Sequence, residues 1–210
     1  MAVRWYLAYA LSYRDIEELL EERGLLVDHA TVNRWVIEYA PQLAAVFKSK
    51  KRRVNKSWRM DETYVKVKGK WMYQYRAVGK DGATIDCYFS NNRSKKAALK
   101  FFINSMLSCG KPTTVNIDKS GSNTSALNSI NKGLDKSQQI KVRQNKYLNN
   151  IVEQDHRFIK KITRATLGYK AEHSAAATLQ GVELHHMLRK GQHVNANRQT
   201  IFEQFYSLAA

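Results

Sequence analysis

Three carboxylates in this chain stand in surroundings that suit a divalent metal. Asp61 lies in the alternating stretch Trp58-Arg-Met-Asp-Glu-Thr-Tyr-Val-Lys-Val67. Strand parity places it with Thr63, Val65 and Val67 on a buried side, while Glu62 faces outward with Tyr64. A buried carboxylate needs a partner or a metal. Asp118 closes Thr113-Thr-Val-Asn-Ile-Asp118, a short buried strand. Glu153 lies in Lys146-Tyr-Leu-Asn-Asn-Ile-Val-Glu-Gln-Asp-His-Arg157, which reads as a helix with Leu148, Ile151, Val152, Phe158, Ile159 and Ile162 on its apolar face. Asp155 points into that face. Glu153 points away from it, into a basic stripe of Arg157, Lys160 and Arg164. Convergent oxygen ligands with open positions suit Mg²⁺ or Mn²⁺, and two such ions about 3.5–4 Å apart activate an attacking oxygen and stabilise a leaving one at a phosphodiester. A carboxylate inside a basic stripe makes sense where an anionic DNA backbone must lie against the metal it helps to hold. Each acid alone has a plainer reading: Glu153 pairing with Arg157 one turn on, Asp118 as a turn residue, Asp61 as a buried hydrogen-bonding acid. Their joint occurrence in the right element order favours catalysis.

That order is read from periodicity. Trp58 to Lys68, Trp71 to Val78 and Ala83 to Phe89 alternate as strands, separated by turns at Gly69 and at Gly79-Lys-Asp-Gly82. A helix follows to about Leu107, then strand 113–117, a weak helix 126–134, a short strand 139–143 and the Glu153 helix. The pattern βββαβαβα predicts an α/β domain with hairpins first and crossover helices after. If strands one and four are neighbours and the last helix packs across them, the three acids meet. An Ala-rich helix over 171–190 closes the domain. Trp71, Tyr73 and Tyr75 are expected to serve core and cross-strand packing rather than as base-stacking platforms.

The partner is suggested by charge. Across 210 residues, 35 Lys and Arg face 18 Asp and Glu, a net charge of +17, which points to nucleic acid. Residues 1–39 carry four basic and seven acidic residues, so the positive charge lies beyond them. No apolar run approaches the roughly 18 residues that cross a bilayer, so no membrane partner is expected. Cys87 and Cys109 have no metal-ligand spacing and fit a reducing, cytoplasmic setting. His173 and the pair His185-His186 are weak zinc candidates without cysteine company.

The first segment predicts two helices. Ser12 caps one, with Asp15 three positions on, and Gly24 stops it. Asp28 caps a second, with Val32, Trp35, Val36 and Tyr39 on one face and Asn33 and Arg34 on the other. The pair is either a DNA-reading helix-turn-helix or a plain helical hairpin. After Pro41, the run Lys48-Ser-Lys-Lys-Arg-Arg-Val-Asn-Lys56 reads as a basic connector, in which Lys50, Lys51, Arg52 and Arg53 are candidates for phosphate contacts. The expected division is residues 1–47 as helix-turn-helix, 48–56 as linker, 57–195 as catalytic domain and 196–210 as tail.

Several spaced stretches carry a family resemblance: Ser12-Tyr-Arg-Asp-Ile-Glu-Glu18, Val27-Asp-His-Ala-Thr-Val-Asn-Arg-Trp-Val36, Trp58-Arg-Met-Asp-Glu-Thr-Tyr64, Tyr75-Arg-Ala-Val78, Ile117-Asp-Lys-Ser120, Asn149-Asn-Ile-Val-Glu-Gln-Asp-His-Arg157 and Leu188-Arg-Lys-Gly-Gln192. Together they resemble the DDE transposases of short bacterial insertion sequences, over nearly the whole chain. The resemblance implies a ribonuclease H-like domain behind a helix-turn-helix, and an acid triad of Asp61, Asp118 and Glu153. It decides for Glu153 over Asp155, and suggests Asp155 and His156 as supports behind the triad. It further implies two Mg²⁺ or Mn²⁺ ions, double-stranded DNA as partner in the form of terminal inverted repeats and target, and a homo-oligomer, at least a dimer, on DNA. In the mechanism that the resemblance implies, water frees a 3′ hydroxyl, which then attacks a target phosphodiester. Two features depart from the family: Gly79 stands where relatives commonly have Asp, and the chain is expected to be shorter at its N-terminus. Two competing readings are a ribonuclease H-like nuclease that cuts without joining, and an inactive DNA-binding remnant or regulator.

Overall fold

Local capping chemistry shapes the N-terminal helices of the computed structural model, which describes residues 1–119, 121–165 and 168–209. Helix α1 spans Ala2–Ala8, α2 Tyr13–Glu21 and α3 His29–Lys50. The Ser12 hydroxyl accepts from the Asp15 N–H while the Asp15 carboxylate accepts from the Ser12 N–H, a reciprocal capping box. Gly24, at φ +73°, ends the turn beyond α2 in a conformation that costs glycine little. Asp28 caps α3 through the Thr31 N–H. Pro41 does not end that helix. It lies inside α3, whose buried face of Val36, Ala40, Leu43 and Phe47 offsets a local cost of about 3 kcal/mol. The basic run expected as a linker therefore begins in the last turn of α3. Tyr39, expected on the apolar face, is exposed.

The chain divides into two compact units: Met1–Arg52 with Lys66–Lys70 and Arg157–Ala210, and Arg53–Val65 with Trp71–His156. In the first, α1 and α3 pack on α7 (Glu172–Arg189), against which α8 (Ile201–Tyr206) also lies. Gly181 makes the close approach possible, since a methyl there would come within 2.6 Å of Leu7 and 2.7 Å of Ala40. Gly181→Ala is expected to destabilise the protein by about 1–3 kcal/mol through overpacking, read as a lower urea midpoint. An unchanged midpoint would mean the helices separate freely.

The second unit is built on five strands: β1 (Ser57–Val67), β2 (Lys70–Gly79), β3 (Thr84–Ser90), β4 (Thr114–Asn116) and β5 (Lys141–Arg143), in the order β3-β2-β1-β4-β5. Lys68 and Gly69, both at positive φ, make the two-residue turn between β1 and β2. β2 pairs antiparallel with β3, whereas β4 runs parallel to both β1 and β5. Helix α4 (Lys95–Cys109) joins β3 to β4, α5 (Gly121–Lys132) joins β4 to β5, and α6 (Lys146–Arg164) follows β5. This βββαβαβα order is the one the periodicity predicts, and the mixed sheet is that of the ribonuclease H-like domain the resemblance implies, though α5 begins earlier than expected. Trp58, Met60, Tyr75, Phe101, Phe102, Val115, Ile117 and Leu127 form the core between the sheet and α4 and α5.

Ser120, the last residue of the Ile117–Ser120 motif, lies outside the described residues. No described helix is long and apolar enough to cross a membrane.

Candidate active site

Strand register alone brings two of the acids together. In the parallel pair β1–β4, Trp58 lies opposite Val115 and Arg59 opposite Asn116. Two residues further along each chain stand Asp61, in the middle of β1 just past the paired segment, and Asp118, just beyond the carboxyl end of β4, where ligands collect in parallel sheets. Asp61, Glu62 and Asp118 each offer a carboxylate oxygen within 4.8 Å of the others.

Glu62 corrects the parity reading. It shares a face with Trp58 and Met60, which pack in the core with α4 and α5, and its side chain is 2% exposed while that of Asp61 is 21% exposed. The sheet is covered on both faces here, and alternation does not mark one side as wet. Burial pushes the Glu62 carboxyl up, Arg93 opposes this, and Asp118 and Asp61 add to it. Arg93 spans the pair, placing NH2 3.1 Å from Asp118 Oδ2 and Nε 3.4 Å from Glu62 Oε1. Asn123 of α5 donates to Glu62 Oε1 at 3.2 Å. Their fixed positive charge and donor offset the repulsion of neighbouring carboxylates. Neither Arg93 nor Asn123 gives a signal in the sequence pattern, because both act across long separations.

Helix α6 is pinned by its buried asparagine. Asn149 Oδ1 accepts from Asn116 Nδ2 at 2.6 Å, and Asn149 Nδ2 reaches the Met60 carbonyl beside Asp61 at 3.4 Å. His156, also buried, sets Nε2 3.3 Å from Asp61 Oδ2. Its Nδ1 lies 3.2 Å from NH1 of Arg76, a fully buried residue of β2. A guanidinium only donates, so Nδ1 must accept. In neutral His156 the proton is then on Nε2, facing Asp61. Arg76 NH2 donates to Asp155 at 2.7 Å. Asp155 thus meets a buried cation within the apolar face, and Asp155 and His156 both stand behind Asp61.

Glu153 is exposed and is not among the three clustered carboxylates. At roughly 100° per residue it stands about 40° from Asn149 and about 60° from His156 around α6, at the rim of the docked stripe rather than opposite it. Arg157, Lys160 and Arg164 are exposed along the same helix.

The remaining candidates are scattered. Arg34 is exposed on α3 and donates to Thr31 Oγ1, and Asn33 is half-buried. Lys50 is tied inward, donating to the Ser207 carbonyl at 2.7 Å, while Lys51 and Arg52 are half-buried and Arg53 is exposed. Trp71 is exposed, contrary to the packing role expected of it. His173 is exposed, whereas His185 and His186 are buried in α7, His186 stacking on Phe158 with ring centroids 4.1 Å apart.

Burial, seconded by Arg189 and Arg4, lowers the His185 pKa to about 3. The unfolded chain binds this proton near pH 6.5, so stability is full above that pH and falls as pH drops toward 3. The expected loss is about 4–5 kcal/mol. Subtracting the pH profile of His185→Leu should isolate it, and superimposable profiles would refute it.

Residues 55–192 match the family DDE_Tnp_IS240, described as a DDE domain. The chain is 43% identical over 190 residues to the transposase of the insertion sequence-like element IS431mec of Staphylococcus aureus, covering 90% of this chain and 83% of that protein. The same identity and coverage hold for the S. aureus transposase of insertion sequence element IS257 in transposon Tn4003. Among solved structures, the HTLV-2 integrase catalytic core domain in complex with magnesium is 20% identical, with a TM-score of 0.43 over 51% of this chain and 69% of that one. The catalytic core domain of BIV integrase is 16% identical, with a TM-score of 0.44 over 62% of this chain and 84% of that one.

Proposed function

Because the chain belongs to the DDE transposases of insertion sequences, we propose that it binds the terminal inverted repeats of its element and performs metal-dependent cleavage and strand transfer there. Asp61, Asp118 and Glu153 are its catalytic acids. The observation that carries this reading is the β1–β4 register that sets Asp61 level with Asp118, while Asn149 and His156 dock α6 beside them with Glu153 at the rim.

The donor set fits Mg²⁺ or Mn²⁺, since Asp61 and Asp118 set hard carboxylate oxygens close together with partial solvent access. When bound, one or two such ions supply Lewis-acid polarisation of the phosphodiester and favour deprotonation of the attacking water or 3′ hydroxyl. Asp61 and Asp118 hold the metal from the sheet and Glu153 from the helix. His156 backs Asp61 with its Nε2 3.3 Å from the carboxylate, and Arg93 with Asn123 keeps Glu62 and Asp118 close despite their like charge. Glu62, buried and committed to Arg93 and Asn123, is structural.

Phosphate contacts come from Arg157, Lys160, Arg164, Lys51, Arg52 and Arg53, and base edges are read by Asn33 and Arg34 on α3. Lys50 supports the fold through Ser207. A dimer on DNA brings two element ends together.

Incubation with Mg²⁺ and DNA carrying the terminal repeats should yield nicks at the element ends and joined products in the presence of target DNA. Cleavage without joined products would favour a nuclease, and neither product would favour a remnant. Binding should be steeply salt-dependent, each phosphate contact adding about −0.9 to the slope of log K against log salt. Replacing Lys51, Arg52 and Arg53 by Gln should flatten the slope by about 2–3. An unchanged slope would return these residues to a structural role.

A further inference from the structure

The face of β1 that carries Glu62 continues past the carboxylates as an aromatic row. Tyr64 follows Glu62 at the next position on that face, and Tyr73 packs against the edge of the core. Nearer the centre, Tyr75 is fully buried, and its hydroxyl donates to the Asn92 carbonyl in the loop before α4. Beyond that loop the cover ends: Tyr64 is 49% exposed and Trp71 is 61% exposed.

The Tyr64 ring meets Tyr73 at 5.5 Å and 56°, and Trp71 at 6.4 Å and 81°. The first pair is tilted and the second edge-to-face, and neither is stacked in parallel. The guanidinium of Arg93, which touches Glu62 and Asp118, also lies within electrostatic reach of Tyr64.

We propose that Tyr64 and Trp71 form a stacking platform for an unpaired nucleobase next to the phosphate being cut. Three points favour a base over a protein surface. Half-exposed aromatic side chains of this number present only a few hundred Å², well short of the roughly 800 Å² per partner of a stable protein interface. Tyrosine and tryptophan join a flat apolar face to a polar tip, which suits a wet, partly polar ligand. Finally, the row begins one strand position from Glu62 in a protein of net charge +17, so a polyanion held at the carboxylates would bring its neighbouring bases here. The inference rests on reading those carboxylates as the DNA-cleaving centre. Stacking on such a platform is tolerant of sequence and lowers the cost of opening a terminal base pair.

The test uses the full chain and a duplex with a short single-stranded 3′ extension carrying 2-aminopurine, whose emission falls on stacking. Its sequence is arbitrary, because every base offers a π-face. Wild type should quench the probe. Tyr64→Ala combined with Trp71→Ala should abolish quenching and weaken binding of the extended duplex roughly ten- to hundredfold, with blunt duplex binding unchanged. Tyr64→Phe with Trp71→Phe should keep both, which separates loss of the rings from loss of the fold. Quenching that survives the double alanine variant, or equal losses on extended and blunt DNA, would overturn the platform. Survival of quenching together with a fall in sedimentation mass would identify the patch as a contact between copies. Mg²⁺-dependent cleavage on the same preparations separates the two ideas. Asp61-dependent cleavage without ring-dependent quenching removes the platform alone, and ring-dependent quenching without Asp61-dependent cleavage removes the reading of the carboxylates.

Discussion

Asp61→Asn, Asp118→Asn and Glu153→Gln are each expected to lower Mg²⁺-dependent cleavage of element ends at least about a thousandfold, or ~4 kcal/mol of transition-state stabilisation, with DNA binding retained. Each change removes one anionic oxygen and almost no volume. Chelation of the metal should have the same effect on wild type. Glu62→Gln is the discriminating comparison, because Glu62 belongs to the same cluster and is the most buried of its three acids. Its carboxylate accepts from Arg93 and Asn123, so the amide should cost about 1–3 kcal/mol of stability and leave cleavage within about tenfold of wild type. The two outcomes are read from cleavage rates under single turnover and from urea midpoints of the same proteins. An inactive, well-folded Glu62→Gln beside an active Glu153→Gln would falsify the assignment and place the metal on Asp61, Glu62 and Asp118.

Arg76→Met should be the most damaging single change to stability, at about 3–5 kcal/mol. Arg76 is fully buried, and its guanidinium serves Asp155 at 2.7 Å and His156 at 3.2 Å. Methionine fills much of the volume but withdraws the charge from a carboxylate whose side chain is only 11% exposed. Asp155→Asn should cost a similar amount by leaving the guanidinium without this counter-charge. Combining Arg76→Met with Asp155→Leu should cost less than the sum of Arg76→Met and Asp155→Leu, because neither unpaired charge then remains. Because His156 reads Asp61, the Arg76 variant should also lose cleavage under conditions where it is still folded. A change in urea midpoint worth under about 1 kcal/mol would show the pair to be dispensable.

Elements set by local chemistry are legible in the order of residues alone. The Ser12–Asp15 box, the Asp28 cap, the turn at Gly69 and the βββαβαβα order follow from capping groups, backbone permissiveness and hydrophobic period, all of which act over a few residues. Asp61 and Asp118 are legible for a related reason: they are carried by two strands that the order requires to run parallel. Glu153 is favoured over Asp155 by its motif, because period alone separates two acids on one helix only by angle.

The tertiary structure decided what depends on contacts between distant segments. Pro41 continues a helix because packing along that helix outweighs a local penalty. Glu62 is buried because Arg93 and Asn123 of α5 close over a face that alternation could assign to water. Arg76, Arg93, Asn123 and Asn149 acquire their roles from partners between 25 and 89 positions away, among them Asp118 and Met60. Such pairings leave no periodic trace, since the energy of a buried charge or amide is set by what the fold places opposite it. The sequence by itself determined which elements form and which acids the strands carry to one edge. Only the folded chain decided which cation, amide and imidazole hold those acids, because hydrogen bonds and ion pairs reach a few ångströms in space and take no account of distance along the chain.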